Sequence, residues 1–251
     1  MGTEGNIQKF KWLPTILAVV ALVAEMSLNI FGFDIHVVLY VVIVLFIVQI
    51  LFMNLELEGI KNARPKLVIF APPNWETRPL GHEVTTEKGP AFQILWQIDC
   101  FNMTFANNPK IRSEQSTARN VVAGLTYYDQ SGHALMNSIF GRWGDTDQPA
   151  SRPLLASTRD LLGVDIEANG SPRELNLAIK HQSENTIYAY NNDSVHAQGW
   201  KRPDFAINEN RIFIHVRLTG ENVDNTDFWV LLENNQNVWT INLAQPLKLS
   251  T

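Results

Sequence analysis

Two apolar stretches, Leu13–Phe31 and Ile35–Met53, stand almost back to back with only Gly32-Phe33-Asp34 between them, and nothing like them recurs in the chain. Each holds 19 residues, which at 1.5 Å rise per residue spans roughly 28 Å, close to the hydrocarbon thickness of a bilayer. The spacing predicts a transmembrane helical hairpin, with helices over about 13–31 and 35–53. A cleaved signal peptide is the competing reading of the first stretch, since Lys9 and Lys11 precede it and Val19-Val20-Ala21 resembles a cleavage site. The second apolar run follows at once, as a hairpin requires.

The remaining residues, 65–251, are polar and turn-rich, and are numerous enough for one buried β core. Residues 1–66 carry five basic and five acidic side chains, so the net charge of −5 falls on the β-rich part. An acidic domain without an Arg/Lys stripe repels phosphate backbones, and nucleic acid is excluded as a partner. The single Cys100 excludes an intramolecular disulfide framework and reads as a small buried hydrophobe in a strand.

Within the first helix, Glu25 and Asn29 lie one turn apart on one face, and Ala18, Ala21 and Ala24 form a small-residue stripe. Three readings stand for Glu25: a carboxyl bonded to Asn29 or to the second helix, a docking stripe for a partner membrane protein, or part of a proton or ion path. The second helix is Val, Ile, Leu and Phe almost throughout, which lipid satisfies as well as protein does. Polar, helix-compatible residues Asn54–Arg64 predict that it continues until Pro65 stops it.

Alternation of apolar and polar residues then predicts strands. Lys66–Phe70 is a first short one, closed by Ala71-Pro72-Pro73, and 79–90 reads as a loop. In 92–100, Phe92, Ile94, Trp96, Ile98 and Cys100 share a face, after which the apolar set shifts to Phe101, Met103 and Phe105. Such a shift predicts a β-bulge or a strand changing sheets. Ala118–Tyr128 and His133–Trp143 flank the turn Asp129–Gly132 as a hairpin-like pair. Leu154–Leu162 reads as a short helix, and further strands fall at 175–180, 186–190, 211–218, 227–232 and 238–243. About nine short strands describe an antiparallel immunoglobulin-like β-sandwich.

The run from Ala118 to Ala123, leading to Leu125-Thr126-Tyr127-Tyr128 and the Asp129–Gly132 turn, resembles the strand-and-turn opening of bacterial immunoglobulin-like adhesion and scaffold modules. The layout of two helices followed by a β domain resembles the membrane-anchored β-rich effectors of bacterial nucleotide-signalling defence systems. That second resemblance is one of layout, and it implies no ligand residues here.

No catalytic motif emerges. The six histidines (His36, His82, His133, His181, His196, His215) have no metal-ligand spacing, and there is no nucleophile elbow, Walker loop or dinucleotide fingerprint. The acidic clusters Asp145–Asp147 and Asp224–Asp227 lack the EF-hand spacing and read as turns. Trp143, Trp200, Trp229 and Trp239 are candidates for a groove or for packing. No cofactor or metal is expected, and no residue pattern points to a small-molecule ligand. The reading is a non-catalytic accessory or scaffold subunit: the hairpin (1–64) packs in the bilayer against a membrane protein partner, and the β domain (65–251) makes protein contacts. A membrane-anchored ligand sensor or effector is the alternative.

Basic residues flank both outer ends of the hairpin and are absent from its turn, which places both termini and the β domain in the cytoplasm. Protease added to intact cells or spheroplasts is therefore expected to leave 66–251 uncut; digestion without lysis would reverse the orientation.

Overall fold

The computed structural model describes residues 35–87, 89–113, 116–146 and 162–249. The chain divides into two units, Met1–Lys61 and Asn62–Thr251. The expected first helix and residues 154–161 of the expected short helix lie outside the described residues.

Helix α1 (Ile35–Ala63) is longer than the apolar run that announces it. It carries Lys61 in its last turn, which suits the negative end of the helix dipole, and Pro65 disfavours helical geometry at Arg64. Its span Leu39–Ala63 is long and apolar enough to cross a membrane. Large apolar side chains are exposed around its whole circumference.

The second unit is built of antiparallel sheets. The strands are β1 (Leu67–Thr86), β2 (Gly89–Asn107), β3 (Ala118–Tyr128), β4 (Ile139–Phe140), β5 (Arg142–Trp143), β6 (Gly163–Ile166), β7 (Arg173–His181), β8 (Ile187–Ala189), β9 (Ala206–Ile207), β10 (Arg211–Thr219), β11 (Thr226–Asn235) and β12 (Val238–Leu243). One sheet has the order β1-β2-β7-β8-β9 with β5 also on β7; the other has β12-β11-β10-β3-β4 with β6 also on β3. Their inner faces share one core, in which Phe101, Met103 and Leu175 of the first sheet meet Leu125, Ile214 and Val230 of the second. Burial along β10 alternates as expected, with Ile212, Ile214, Val216 and Leu218 inside and Phe213, His215 and Arg217 facing out.

Two polar ties cross this core in opposite senses. The register of β7 against β2 shifts at Leu177, which is left without a facing residue, and the Tyr127 hydroxyl donates to its carbonyl at 2.6 Å. In return Trp143 Nε1 of the first sheet donates to the Val121 carbonyl of the second at 3.1 Å. Both side chains are fully buried, so losing a donor would strand a carbonyl in the core at a cost of about 1–3 kcal/mol.

Three sequence expectations need correction. Residues 79–90 are not a loop: β1 continues to Thr86 and β2 begins at Gly89, joined as a long hairpin. Prolines at 72, 73 and 79 are tolerated because β1 is an edge strand, and its register shifts absorb the irregularity. At the last of those shifts, a Cβ on Gly81 would lie 1.9 Å from the Gln93 carbonyl oxygen, so the close approach requires glycine. Next, the shift in apolar period at Cys100/Phe101 is not a change of sheet; a bulge does lie beside it, between Phe101 and Asn102, with the extra residue, Leu177, on β7. The shift in period arises because β2 is buried on both faces there, Phe101, Met103 and Phe105 in the main core and Ile98 and Cys100 in a second cluster. Finally, 133–143 pairs with β3 only at Ala134 and through β4; β5 crosses to the first sheet, where Arg142 and Trp143 pair with β7.

A fragment of residues 62–251 is expected to be β-rich by circular dichroism and to unfold cooperatively in urea, with Tyr127→Phe losing about 1–3 kcal/mol. An unchanged midpoint in that variant would mean that the tie between the sheets is replaceable.

Candidate functional site

The outer face of the first sheet differs from an ordinary solvated sheet face. Over β2, β7 and β8 it carries a small apolar cluster, Ile98, Cys100, Ile179 and Tyr190, against which Tyr188 and Trp200 pack. Residues 191–205, a run of short 3-10 turns, form a strap that covers it through Trp200 and ends at Phe205 against the main core. The strap starts with a reciprocal cap, in which the Asn191 side chain accepts from the Ser194 amide at 3.0 Å and the Ser194 hydroxyl faces the Asn191 amide. Trp200 stacks on Tyr190 with ring centroids 5.1 Å apart. His181 Nε2 lies 2.8 Å from the Gly199 carbonyl, which can only accept, so Nε2 carries the proton in the neutral ring. Lys201 pairs with Glu184, and Arg142, itself buried, donates to Asn192 at 2.6 Å and to the Thr146 carbonyl at 2.9 Å.

Beside the strap, Arg78 pairs with Glu76 and, at 2.5 Å, with Glu174, and Asn176 donates to Glu174 and to the buried Asn102. Burial dominates the ionisation of this layer. It pushes the Cys100 thiol up to about 12, against the opposing pull of Arg78. The Tyr190 phenol is pushed up for the same reason. A thiol held neutral is not a nucleophile, which fits the reading of Cys100 as a buried hydrophobe. Lys201 holds the Glu184 carboxyl below the usual carboxylate range. At the inner rim Asp99 and Lys180, both buried, pair at 3.4 Å; Thr77 donates to the carboxylate, and Lys180 donates to the His181 and Glu184 carbonyls. That pair is fully bonded and plays a packing role.

The outer face of the second sheet carries an aromatic and charged ladder. His215 stacks on Trp229 at 4.6 Å, and Tyr128 leans on the same indole at 5.6 Å. Asp227 accepts from Arg217 at 2.8 Å and lies 2.8 Å from His215 Nε2; these contacts, Arg217 first, lower its pKa. The members of this ladder bond one another, and no carboxylate or imidazole is left poised over an open site.

A third surface is the arm of the β1–β2 hairpin. Pairing with β7 begins at Ile98, the Gln97 carbonyl still accepts from the Gln182 amide and Trp96 packs edge-on against His181, so it is the hairpin beyond them, from Gly81/Ile94 to Thr86/Gly89, that is held, among the described residues, by its own two strands. Ile94 and Leu95 are 53% and 43% exposed there, Leu95 standing without a facing residue where the register shifts, and Trp75 and Phe70 are exposed further down β1. A shallow hollow of about 510 Å³ lies elsewhere, lined by Ala134, Leu135, Met136, Asn137, Ile139, Asp204 and Phe205. Its one carboxylate, Asp204, faces Arg202 at 3.5 Å.

The residues expected to dock a membrane partner, Ala18, Ala21, Ala24, Glu25 and Asn29, lie outside the described residues. The four tryptophans do not share a groove. Trp143 is in the main core, Trp239 is buried on β12, Trp200 is in the strap and Trp229 is on the opposite sheet. No group of three or more His, Cys, Asp or Glu side chains suited to a metal occurs among the described residues. Comparison with protein-family models, with curated proteins and with solved structures finds no match. The strap itself escaped sequence reading, although Asn191-Asn192-Asp193-Ser194 has the spacing of a cap and the doubled apolar face of β2 calls for a cover.

Proposed function

We propose that the chain is a membrane-anchored accessory or scaffold subunit without catalytic chemistry of its own, whose β domain makes protein contacts. The observation that carries this reading is the arm: two strands running beyond the sandwich with exposed Ile94 and Leu95. An isolated two-stranded ribbon is marginal in water, and a partner surface would supply what the sandwich does not. Anchoring is supported by α1, where each large apolar side chain left in water forgoes about 1.5–3 kcal/mol. Over such a span the sum exceeds the whole stability of an ordinary domain, so lipid or partner helices are the natural surroundings.

In this proposal the stripe Ala18/Ala21/Ala24 and the pair Glu25/Asn29 face helices of the partner, and the β domain lies in the cytoplasm as the flanking charges indicate. The immunoglobulin-like description of the sandwich belongs with it, supported by two antiparallel sheets over one core. The alternative, a ligand-sensing effector, calls for a pocket with converging polar groups. The hollow beside Met136, with one already paired carboxylate, gives it little support.

Purified from its native membrane in mild detergent, the full chain is expected to carry a stoichiometric protein partner. Ile94→Lys combined with Leu95→Lys should abolish that co-purification while leaving membrane insertion and circular dichroism unchanged. A chain that purifies alone, or a double variant that keeps its partner, would refute the role assigned to the arm.

A further inference from the structure

The strap over the outer face of the first sheet is held by contacts of an unusual kind for a permanent part of a core. Its turn places Gly199 and Trp200 in succession at φ 61°, in the left-handed region. Gly199 fits there without penalty, and its Cα side packs against the His181 and Trp96 rings, where an added Cβ would lie 3.3 Å from the imidazole. Trp200 is different. A bulky residue in that region carries a strain on the order of 1–3 kcal/mol, which here is offset by stacking on Tyr190. The closed strap is thus a strained conformation kept in place by side-chain contacts, and the His181–Gly199 bond sits at the strained turn.

His181 is 2% exposed and wedged edge-on between Trp96 and Tyr188, with centroids 6.4 Å away on each side. The charged groups around it are Lys180 beside it on β7, Lys201 on the strap, and Glu184 on the turn after β7, which is already paired with Lys201. Protonation would put a positive charge in an aromatic slot beside two lysines and one committed carboxylate. Nε2 would keep its bond to the Gly199 carbonyl, so protonation acts through the charge added to the slot and not through that bond.

We propose that residues 191–205 form a proton-operated cover: with His181 neutral the strap closes over Ile98, Cys100 and Ile179, and with His181 protonated it lifts and bares that face. The sign follows from linkage. Burial lowers the His181 pKa in the closed state, with Lys201 and Lys180 acting in the same direction and the Gly199 bond and Glu184 opposing. A depressed histidine pKa means that closure is fully favoured above the ordinary value of about 6.5 and weakens as pH falls below it. The loss reaches at most about tenfold per pH unit, and ends once pH drops under the closed-state pKa.

Cys100, the single cysteine, lies beneath the strap and reports its opening. The full chain in detergent is labelled with a dithiodipyridine, which reacts in acid, and its rate at each pH is divided by that of the urea-unfolded chain. The ratio is expected to be low and flat above pH 7 and to rise as pH falls from 6.5 to 5, by no more than about tenfold per pH unit. In His181→Gln, whose amide can still donate to the Gly199 carbonyl, it should stay flat. Hydrogen exchange on the wild type supplies the second readout: acid should release the amides of 191–205 while those of Arg211–Thr219 keep their protection. A flat wild-type ratio would overturn the proposal, as would an equal rise in His181→Gln or a matching loss of protection in Arg211–Thr219, which would signal global unfolding.

Discussion

Strands β2 and β7 are covered on both faces over their paired length, and most of what distinguishes this domain follows from that constraint. In a two-sheet domain one face of each strand normally meets water, and alternation of apolar and polar residues suffices. Here Ile98, Cys100 and Ile179 point away from the main core and are as buried as Phe101 and Leu175, which point into it. A second cover is then required. Because a strap of non-repeating turns leaves backbone groups unpaired, it must bring its own polar partners. The Asn191/Ser194 cap, the Arg142–Asn192 bond and the His181–Gly199 bond supply them.

The same constraint explains where the domain stops being covered. Beyond Gln97 the strand β2 has left β7, and past Trp96, which packs on His181 and Gly199, the hairpin continues with Ile94 and Leu95 in water. The domain therefore offers two surfaces of different character. The arm is open at all times, which suits a standing contact with a partner, whereas the strap-covered face becomes available only if the strap moves. On the opposite sheet, the Tyr128–Trp229–His215 ladder is satisfied internally and asks for no occupant.

Much of the sandwich was legible in the sequence because alternation is a faithful record of a one-sided burial. Ile212 to Leu218 reads correctly for that reason. Sequence reading failed where burial was two-sided or where long-range pairing overrode local signals. The break in period at Cys100 imitates a change of sheet although it records a second cover. The prolines of β1 imitate a loop, yet an edge strand can hold them because the missing N–H faces outward. At the candidate sites, exposure of Ile94 and Leu95 depends on where β7 ends, and closure of the strap depends on a bond across 18 residues, His181 to Gly199. Neither is written in any local pattern. The helix α1 was visible as a 19-residue run, and its continuation to Ala63 follows from Pro65.

The central claim, that β2 changes from a doubly covered strand to an open ribbon at Leu95/Trp96, can be measured directly. Amide exchange should be read residue by residue along β2 in the purified chain at pH 7.5. Strong protection from Ile98 to Phe105, falling by orders of magnitude across Ala91–Leu95, is the result that this account requires. Uniform protection from Ala91 to Phe105 would contradict it, because the arm would then be as fully covered as the strand from which it extends.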